Sequence, residues 1–413
     1  MKLCLSLLLL LPALLSAELC DLQPTSEMAA ALPHFYQGQL EFSVAMLEAI
    51  RNTTANENVF FSPYSIYHAL LLAYFGATGE TEEELSRVLR LGWAPSKEAV
   101  RYAYRLDKSD RLSRAKDMPL ELSSADRMYF DEQVKLTSCL ETRFHDEIVQ
   151  LNIKDNVEQT RQQINGWVAN VTKNQIENMM APEDIDSNTK TVLANAAYFK
   201  GQWINPFKAR KTFQMPFHTA RGTVSLVPMM SQIKTFPLHW DMHLRAEVVQ
   251  LPYRTSFEEG DNASDISMVI ILPFGDNALE QVLTKLNSVT LEAALREAKA
   301  TEIVMKLPKF KLEQRLNLRP ILRKMGVNKM FGHDASFNDF SADQGIHFGD
   351  VQHLAKIKVD EEGSVAAAKT RMSSLFSMGD VVICDRPFVF LIYDRKSKAI
   401  LFTGIYRDPT TME

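Results

Sequence analysis

The sequence has 413 residues, of which 46% are hydrophobic and 23% are charged, and its formal net charge at pH 7 is -5. This many apolar residues can bury a large core. The mildly acidic balance, spread along the chain, gives no reason to expect nucleic acid as a partner. No low-complexity run, fixed-period repeat or Pro/Ser/Gly linker marks a domain boundary, so we predict one large domain over residues 18–413.

The first 17 residues have the pattern of a secretory signal peptide. Lys2 precedes a mostly apolar run from Leu3 to Leu15, and the small residues Ser16 and Ala17 follow. A helix that spans a bilayer needs about 20 apolar residues, so this run is too short, and no later run comes close. We expect residues 1–17 to be removed and the rest to be secreted, extracellular and without a membrane partner.

Three cysteines remain after residue 17, namely Cys20, Cys139 and Cys384. An odd number leaves at least one thiol unpaired within the chain, and so few scattered cysteines are no disulfide framework. Stability must therefore come from the core. The acceptor pattern for N-glycosylation, which suits a secreted glycoprotein, occurs at Asn52, Asn170 and Asn262.

Apolar periodicity predicts a helix-rich N-terminal half. In "GATGETEEELSRVL" the glycines mark a turn, and Thr81 with Glu84 is expected to form a capping box at the start of a helix. The predicted helices cover residues 38–52, 65–74, 81–90, 97–114, 138–145 and 157–174.

The predicted helix that begins at Lys97 carries a local excess of basic residues. Lys97, Arg101, Arg105 and Lys108 are spaced to share one face, which makes this face a candidate glycosaminoglycan site. Acidic residues interrupt the stretch and favour the alternative, a solvated helix face: Glu98, Asp107, Asp110 and Asp117.

Alternating or continuous runs of β-branched and aromatic residues dominate the C-terminal half. The last two runs, "FVFLIYD" and "KAILFTGIY", predict a hairpin. The earlier runs are "AEVVQLPY", "ISMVIILPF", "TEIVMKLPKF" and "HLAKIKVD". Helices first and strands later predict an α+β chain built on large, mainly antiparallel sheets.

The sequence lacks the motifs of common hydrolases and nucleotide-binding enzymes. It has no nucleophile-elbow serine, zinc-protease helix signature, phosphate loop or dinucleotide fingerprint. His239 and His243 could meet on one helix face, but Pro237 and Trp240 disfavour a helix there and no third ligand is evident. We expect neither an enzyme nor a metal or other cofactor, although a scattered Ser/His/Asp triad would leave no motif.

Four segments resemble signatures of the serpin family. "NVFFSPYSIYHALLLAYFGATGETEEEL" is similar to the helix-B signature, "LANAAYFKGQWINPF" to the central-sheet signature, and "VDEEGSVAAAKT" with "DRPFVFLIYDRKSKAILFTGIYRDP" to the hinge and C-terminal signature. The matches extend from about residue 38 to 409 in the family's order. The resemblance implies three β-sheets, about nine helices and an exposed reactive-centre loop at about residues 363–386, and the texture is similar to that of secreted invertebrate members.

In serpins a protease cuts this loop, and the upstream arm then inserts as a new strand in the central sheet. Side chains of an inserted strand must alternate. With Glu361 and Gly363 in the hinge, the core-facing residues would be Ser364, Ala366, Ala368, Thr370 and Met372, all small or apolar. The solvent-facing residues would be Val365, Ala367, Lys369, Arg371 and Ser373. Lys369 departs from the small residue usual there, and a shift by one residue would bury it.

The resemblance also assigns two polar clusters. The shutter cluster beneath the opening sheet would be Ser62, Ser65, Asn195 and His353, and the breach cluster at the top of the sheet would be Trp203, Lys309 and Glu361. The lysine and the glutamate of the breach cluster would pair as the loop enters. Since buried polar groups need partners in any fold, an alternative is that these residues serve stability alone.

Two ways of counting place the cleaved bond one residue apart. The family's spacing from Gly363 gives the Ser377–Met378 bond, which we favour, whereas counting back from Pro387 gives Phe376–Ser377. No Lys or Arg lies at either position, which disfavours a trypsin-like target. Serine suits a small, elastase-like specificity pocket, and phenylalanine suits a chymotrypsin-like one.

The resemblance therefore implies a monomeric suicide inhibitor that forms a covalent complex with an extracellular serine protease. The alternative is a non-inhibitory serpin that acts as a carrier or binding protein, which Lys369 and the unfavourable loop length would favour. That alternative predicts cleavage without a complex. A hydrolase that uses scattered residues is the least favoured interpretation.

Overall fold

The computed structural model describes residues 30–51, 56–257, 264–275, 278–343, 345–363 and 380–409. Within these ranges the chain forms nine α-helices: α1 (Ala31–Arg51), α2 (Pro63–Gly76), α3 (Gly79–Val88), α4 (Lys97–Lys116), α5 (Ser138–Arg143), α6 (Val157–Val171), α7 (Leu279–Lys285), α8 (Ser288–Glu297) and α9 (Leu318–Met325). All six helices predicted from periodicity are present; the largest difference is at α1, which begins at Ala31 rather than residue 38. None of the described helices is long and apolar enough to cross a membrane.

The expected capping box of Thr81 with Glu84 is wrong, because α3 begins earlier, at Gly79. Thr81 Oγ1 accepts a hydrogen bond from the Ser336 N–H at 3.0 Å. The Glu84 carboxylate accepts hydrogen bonds from two N–H groups of a distant turn, at Asn328 and Lys329. Both side-chain oxygens are therefore engaged by tertiary contacts rather than by the start of their own helix.

The described chain also contains 14 strands. They are β1 (Val59–Phe61), β2 (Glu121–Asp131), β3 (Ile148–Leu151), β4 (Thr191–Lys200), β5 (Thr212–His218), β6 (Val224–Asp241), β7 (Ala246–Pro252), β8 (Ile266–Pro273), β9 (Lys299–Pro308), β10 (Phe310–Asn317), β11 (Gln352–Val359), β12 (Asp380–Ile383), β13 (Phe388–Asp394) and β14 (Ala399–Tyr406). The predicted hairpin is confirmed, because β13 and β14 pair in antiparallel fashion.

These strands form one sheet of five strands and one of nine. The five-stranded sheet, which we call the central sheet, has the order β10-β11-β4-β2-β3. The larger sheet has the order β1-β14-β13-β8-β7-β6-β9-β12, with β5 paired to β6. Because the 18-residue strand β6 pairs with β5, β7 and β9 along its length, it joins two of the three expected sheets into one hydrogen-bonded network.

Helix α2 lies between the two sheets and is buried along its whole length. It contacts β2 and β4 of the central sheet and β14 of the larger sheet. Its start is fixed by Ser62, whose Oγ accepts a hydrogen bond from the Ser65 N–H at 3.1 Å, and by Pro63 in the first turn. The sequence that begins α2 therefore places two hydroxyl groups beneath the central strands.

Candidate functional site

The middle strands of the central sheet, β11 and β4, are parallel neighbours, paired from Gln352 with Ala194 to Ile357 with Phe199. We call the boundary between them the seam. After β11 the described chain turns and continues to Gly363. A strand that returned from this turn into the seam would run antiparallel to both neighbours, and antiparallel pairing is the more stable kind. The seam is therefore where an added strand would fit.

The breach cluster lies at the turn that follows β11. Lys309 Nζ lies 2.7 Å from Glu361 Oε2, and Thr212 Oγ1 donates a hydrogen bond to Glu361 Oε1 at 2.8 Å. Burial raises the pKa of Glu361, but the hydrogen bonds from Lys309 and Thr212 outweigh burial and hold this pKa below its usual value. The lysine–glutamate pair, which was expected to form as the loop enters, is already present beside the five-stranded sheet, and Thr212 is a partner that the sequence did not indicate.

Trp203 holds the backbone of the same turn. Its Nε1–H donates to the Asp360 carbonyl at 3.0 Å, and its backbone N–H donates to the Glu362 carbonyl at 3.2 Å. The indole ring stacks on Tyr253 with ring centroids 4.4 Å apart. Gly363 has φ +73°, and a Cβ there would lie 2.6 Å from the Trp203 nitrogen. Only glycine therefore fits at the point where the chain leaves the turn.

The structure brings all four residues of the shutter cluster together, and all four are buried. The Ser62 N–H donates to His353 Nε2 at 3.0 Å, and Ser62 Oγ donates to the Leu401 carbonyl at 2.7 Å. Asn195 Nδ2 donates to Ser65 Oγ at 2.7 Å. The cluster thus connects the start of α2 to both strands of the seam.

The hydrogen bonds of His353 fix its protonation state. Because Nε2 accepts a hydrogen bond from Ser62, the ring proton is on Nδ1, which donates to Asn195 Oδ1 across the seam. The ring has no exposed surface, and burial lowers the pKa of His353 to about 3. His353 is therefore neutral at physiological pH. Because the His353 Nδ1–H donates to Asn195, the Oδ1 of Asn195 faces the seam and its Nδ2 faces β2.

Sequence reasoning missed a carboxylate that completes this cluster. Asp126 lies on β2 opposite Asn195 and accepts hydrogen bonds from Ser65, Ser124 and Asn195. Burial raises the pKa of Asp126 to about 6, although these three donors act in the opposite direction. His353, Asn195 and Asp126 therefore form one hydrogen-bonded row across the adjacent strands β11, β4 and β2.

The candidate glycosaminoglycan face on α4 is largely engaged in ion pairs. Lys97, Arg101 and Lys108 each contact an acidic side chain; in the same order, these are Asp339, Glu98 and Glu147. Arg101 is only 8% exposed, whereas Arg105 is exposed. These contacts favour a helix face held by ion pairs over a site for a polyanion.

Of the other predicted sites, Asn170 is exposed at the end of α6. Cys139 is disulfide-bonded, and Cys384 is a free, buried cysteine.

In the described part of the chain, no group of three or more His, Cys, Asp or Glu side chains could hold a metal ion. Predicted features outside the described residues are the signal peptide, Cys20, Asn52, Asn262, the hinge residues Ser364, Ala366, Ala368 and Thr370, and both candidate bonds at Phe376, Ser377 and Met378.

Comparison with known proteins agrees with this architecture. The family described as "Serpin (serine protease inhibitor)" matches residues 37–409. Serine protease inhibitor 88Ea of Drosophila melanogaster is 51% identical over 421 residues, covering 99% of this chain and 98% of its own. Uncleaved ovalbumin matches with a TM-score of 0.79 at 26% identity, covering 91% of this chain and 100% of its own. Human thyroxine-binding globulin, solved in complex with thyroxine, matches with a TM-score of 0.80 at 26% identity, covering 92% of this chain and 100% of its own.

The chain belongs to the serpin family of serine protease inhibitors. The expected serpin fold is confirmed, and the expectation of an invertebrate member fits the Drosophila relative. The family and that relative support the function of an inhibitor rather than a catalytic enzyme.

Proposed function

We propose that this protein is a secreted suicide inhibitor of an extracellular serine protease. The observation that carries the proposal is the seam, where the two parallel strands β11 and β4 lie side by side. Strand β11 leads directly into the turn from which the reactive-centre loop, or bait loop, starts. After the protease cuts the loop and becomes acylated, the upstream arm enters the seam as a strand and carries the protease away before water can hydrolyse the acyl bond.

Insertion replaces one parallel ladder by two antiparallel ladders. On the order of ten additional backbone hydrogen bonds, each worth roughly 1 kcal/mol net, would form. This gain is comparable with the whole stability of an ordinary domain, about 5–15 kcal/mol. The uncleaved protein would then be held by a kinetic barrier rather than by equilibrium. Loop insertion in serpins is a known example of such an order-changing step.

The chemistry of the loop suggests the kind of protease. With Ser377 before the cut bond, an elastase-like enzyme fits, and with Phe376 there, a chymotrypsin-like enzyme fits. Arg371 lies too early in the loop to serve as the recognition residue of a trypsin-like enzyme. We therefore expect inhibition of chymotrypsin or elastase and not of trypsin.

Incubation of the purified protein with chymotrypsin, elastase and trypsin tests this function. We expect a protease complex that survives denaturing electrophoresis and a released peptide that begins at Met378 or Ser377, identified by its mass. Cleavage of the loop by all three proteases, and by further serine proteases, without such a complex would contradict the proposal.

Two loop variants separate strand insertion from other ways of trapping a protease. Ala368→Asp places a charge at a position expected to face the core, so we expect cleavage without a complex. Ala367→Asp places the same charge at a position expected to face solvent and should still give the complex. Equal behaviour of the two variants would contradict the proposed register of insertion.

The second candidate function is that of a non-inhibitory carrier. It is favoured by the likeness to human thyroxine-binding globulin, which was solved in complex with thyroxine. A carrier would be cut in the loop without forming a complex, and cutting would leave its heat stability unchanged. The same incubation therefore distinguishes the two functions.

We do not expect polyanion dependence. Because Lys97, Arg101 and Lys108 already contact acidic side chains, a heparin chain would have to displace those partners. The measured rate of protease inhibition with and without heparin should be the same, and a large acceleration would reinstate the α4 face as a polyanion site.

A further inference from the structure

Asp126 is a partly buried carboxylate close to the seam. Its strand β2 lies next to β4, so only one strand separates it from the seam. Asn195 joins the two positions: its Nδ2 donates to Asp126 Oδ1, and its Oδ1 accepts from His353 on the far side of the seam. A change at Asp126 therefore acts directly on the residue that binds across the seam.

The carboxylate also sets the direction of the hydrogen bonds in this row. An ionised carboxylate can only accept hydrogen bonds, so Asn195 must turn its Nδ2 toward Asp126 and its Oδ1 toward His353. That orientation requires the ring proton of His353 on Nδ1, and it leaves Nε2 free to accept from the Ser62 N–H. Along the row from Asp126 on β2 to Ser62 at the start of α2, each hydrogen-bond donor therefore faces an acceptor.

Within the described part of the chain, no cation is bonded to Asp126. Its hydrogen-bond donors are the neutral side chains of Ser65, Ser124 and Asn195. Asp126 and Ser124 line a cavity of about 250 Å³ between α4 and β2, which gives water and protons a route to the carboxyl group. The partly buried charge is thus compensated mainly by hydrogen bonds from neutral groups, and Lys108 is the cation that also lowers its pKa.

We propose that Asp126 is a positioning residue of the seam: its ionised carboxylate favours separation of β4 from β11, and its protonated carboxyl favours the closed sheet. The inference rests on the proposed function, because it concerns the step in which the sheet opens to admit a strand. We therefore expect the rate at which the sheet opens to depend on pH.

Proton linkage sets the direction of the effect. In the closed sheet, burial raises the pKa of Asp126 to about 6. Opening the seam would separate Asn195 from His353 and expose the seam side of the row to water in addition to the cavity side, which would lower this pKa toward its ordinary value of about 3.9. A proton therefore binds more tightly to the closed sheet, so acid stabilises the closed sheet and a pH above about 6 favours opening. A proton on Oδ2 can donate to Ser124 Oγ while Oδ1 still accepts from Asn195, so protonation leaves the row intact.

The neighbouring groups do not offer the same response. They are His353 on β11, Tyr64 and His68 on α2, Tyr104, Lys108, Arg111 and Arg114 on α4, and Glu147 just before β3. Burial also raises the pKa of Asp107 on α4, but this carboxylate accepts its hydrogen bond from Tyr64 and not from a residue of the row. Burial lowers the pKa of both histidines to about 3 and raises the pKa of both tyrosines, so these four remain neutral between pH 5 and 8. Lys108 and Glu147 form an ion pair with each other.

The test measures how fast a synthetic strand enters the uncleaved, full-length protein. The probe is an acetylated and amidated peptide of residues 364–371, which has no group that titrates between pH 5 and 8. We expect the insertion rate of the wild-type protein to rise roughly three- to tenfold from pH 5 to pH 8, with a midpoint near pH 6. Asp126→Asn removes the charge, so its rate should stay near the wild-type value at pH 5 throughout.

Glu247→Gln is the matched control, since Glu247 is a carboxyl whose pKa is raised by burial but which lies on β7 in the larger sheet. This variant should keep the wild-type pH profile. A flat wild-type profile, which requires no variant to fold, would overturn the proposal, as would parallel profiles for the wild type and Asp126→Asn. Failure of the peptide to enter at any pH would overturn the proposed insertion itself, and this inference with it.

Discussion

At the residue scale, the turn after β11 depends on one ion pair and one glycine. The Lys309–Glu361 pair is partly exposed, with 36% and 13% of the two side chains accessible, so we assign it at most about 1 kcal/mol. Gly363 has a positive φ and a position that leaves no room for a Cβ. Both features hold the root of the bait loop against Trp203 and Thr212.

Replacing Glu361 by Gln should lower the unfolding temperature slightly at pH 7 and speed insertion of the loop peptide, because the hinge is held less firmly.

The contribution of Glu361 to stability has a defined pH dependence. Its pKa is lowered in the folded protein, so its stabilisation is present above about pH 4.3, the ordinary value, and is lost as the pH falls through the folded value. Thermal unfolding of the variant and the wild type should therefore differ at pH 7 and converge only at an acidic pH below the folded pKa of Glu361. Glu302→Gln, an exposed glutamate on β9, is the control and should match the wild type at both pH values.

Replacing Gly363 by Ala should destabilise the uncleaved protein by about 1–3 kcal/mol. The added Cβ would lie 2.7 Å from the Gly201 carbonyl oxygen as well as close to the Trp203 nitrogen, so the turn must move. Denaturant unfolding measures the change. Gly349→Ala, where a Cβ meets nothing within 4 Å and φ is not positive, should have no comparable effect. Equal stability of the two variants would show that the turn is not constrained as described.

At the scale of the elements, the seam is held by the row from His353 to Asp126. Replacing Asn195 by Ala leaves the buried His353 Nδ1–H without its acceptor, at a cost of about 1–3 kcal/mol. Because this bond crosses the seam, we also expect faster insertion of the loop peptide.

Asn165 provides a matched control for this variant. It is likewise buried, and its side chain bonds both the N–H and the carbonyl of Met180, but it lies on α6. Asn165→Ala should lower stability without changing the insertion rate. If it speeds insertion as much as Asn195→Ala does, loss of stability alone explains the effect and the row has no special role at the seam.

The elements differ in how far the sequence predicts them. Periodicity indicated the first six helices and the strands β7, β8, β9, β11, β13 and β14. It did not indicate β4, because Ala194, Ala196 and Ala197 favour a helix by propensity, and only the family resemblance identified that segment. In β2, serines and charged residues obscure the alternation, so Asp126 remained unnoticed. Its role depends on the register of β2 against β4, and a single sequence does not contain that pairing.

At the scale of the whole molecule, the two sheets have different roles. The larger sheet packs a broad apolar core, with Phe60 stacked on Phe402 at 5.5 Å. In the central sheet, small residues of β4 meet β11 at the seam through a parallel ladder, the less stable kind of pairing. The proposed function requires the sheet to part at the seam while the rest of the fold stays packed.

The proposed function depends above all on the seam accepting the bait loop as an added strand. The most direct test is to cut the loop with a protease, purify the nicked protein and compare its thermal unfolding with that of the uncleaved protein. With on the order of ten additional hydrogen bonds, the nicked protein should unfold at a temperature higher by tens of degrees. An unchanged or lower unfolding temperature after cleavage would contradict insertion, because the loop would then have stayed outside the sheet.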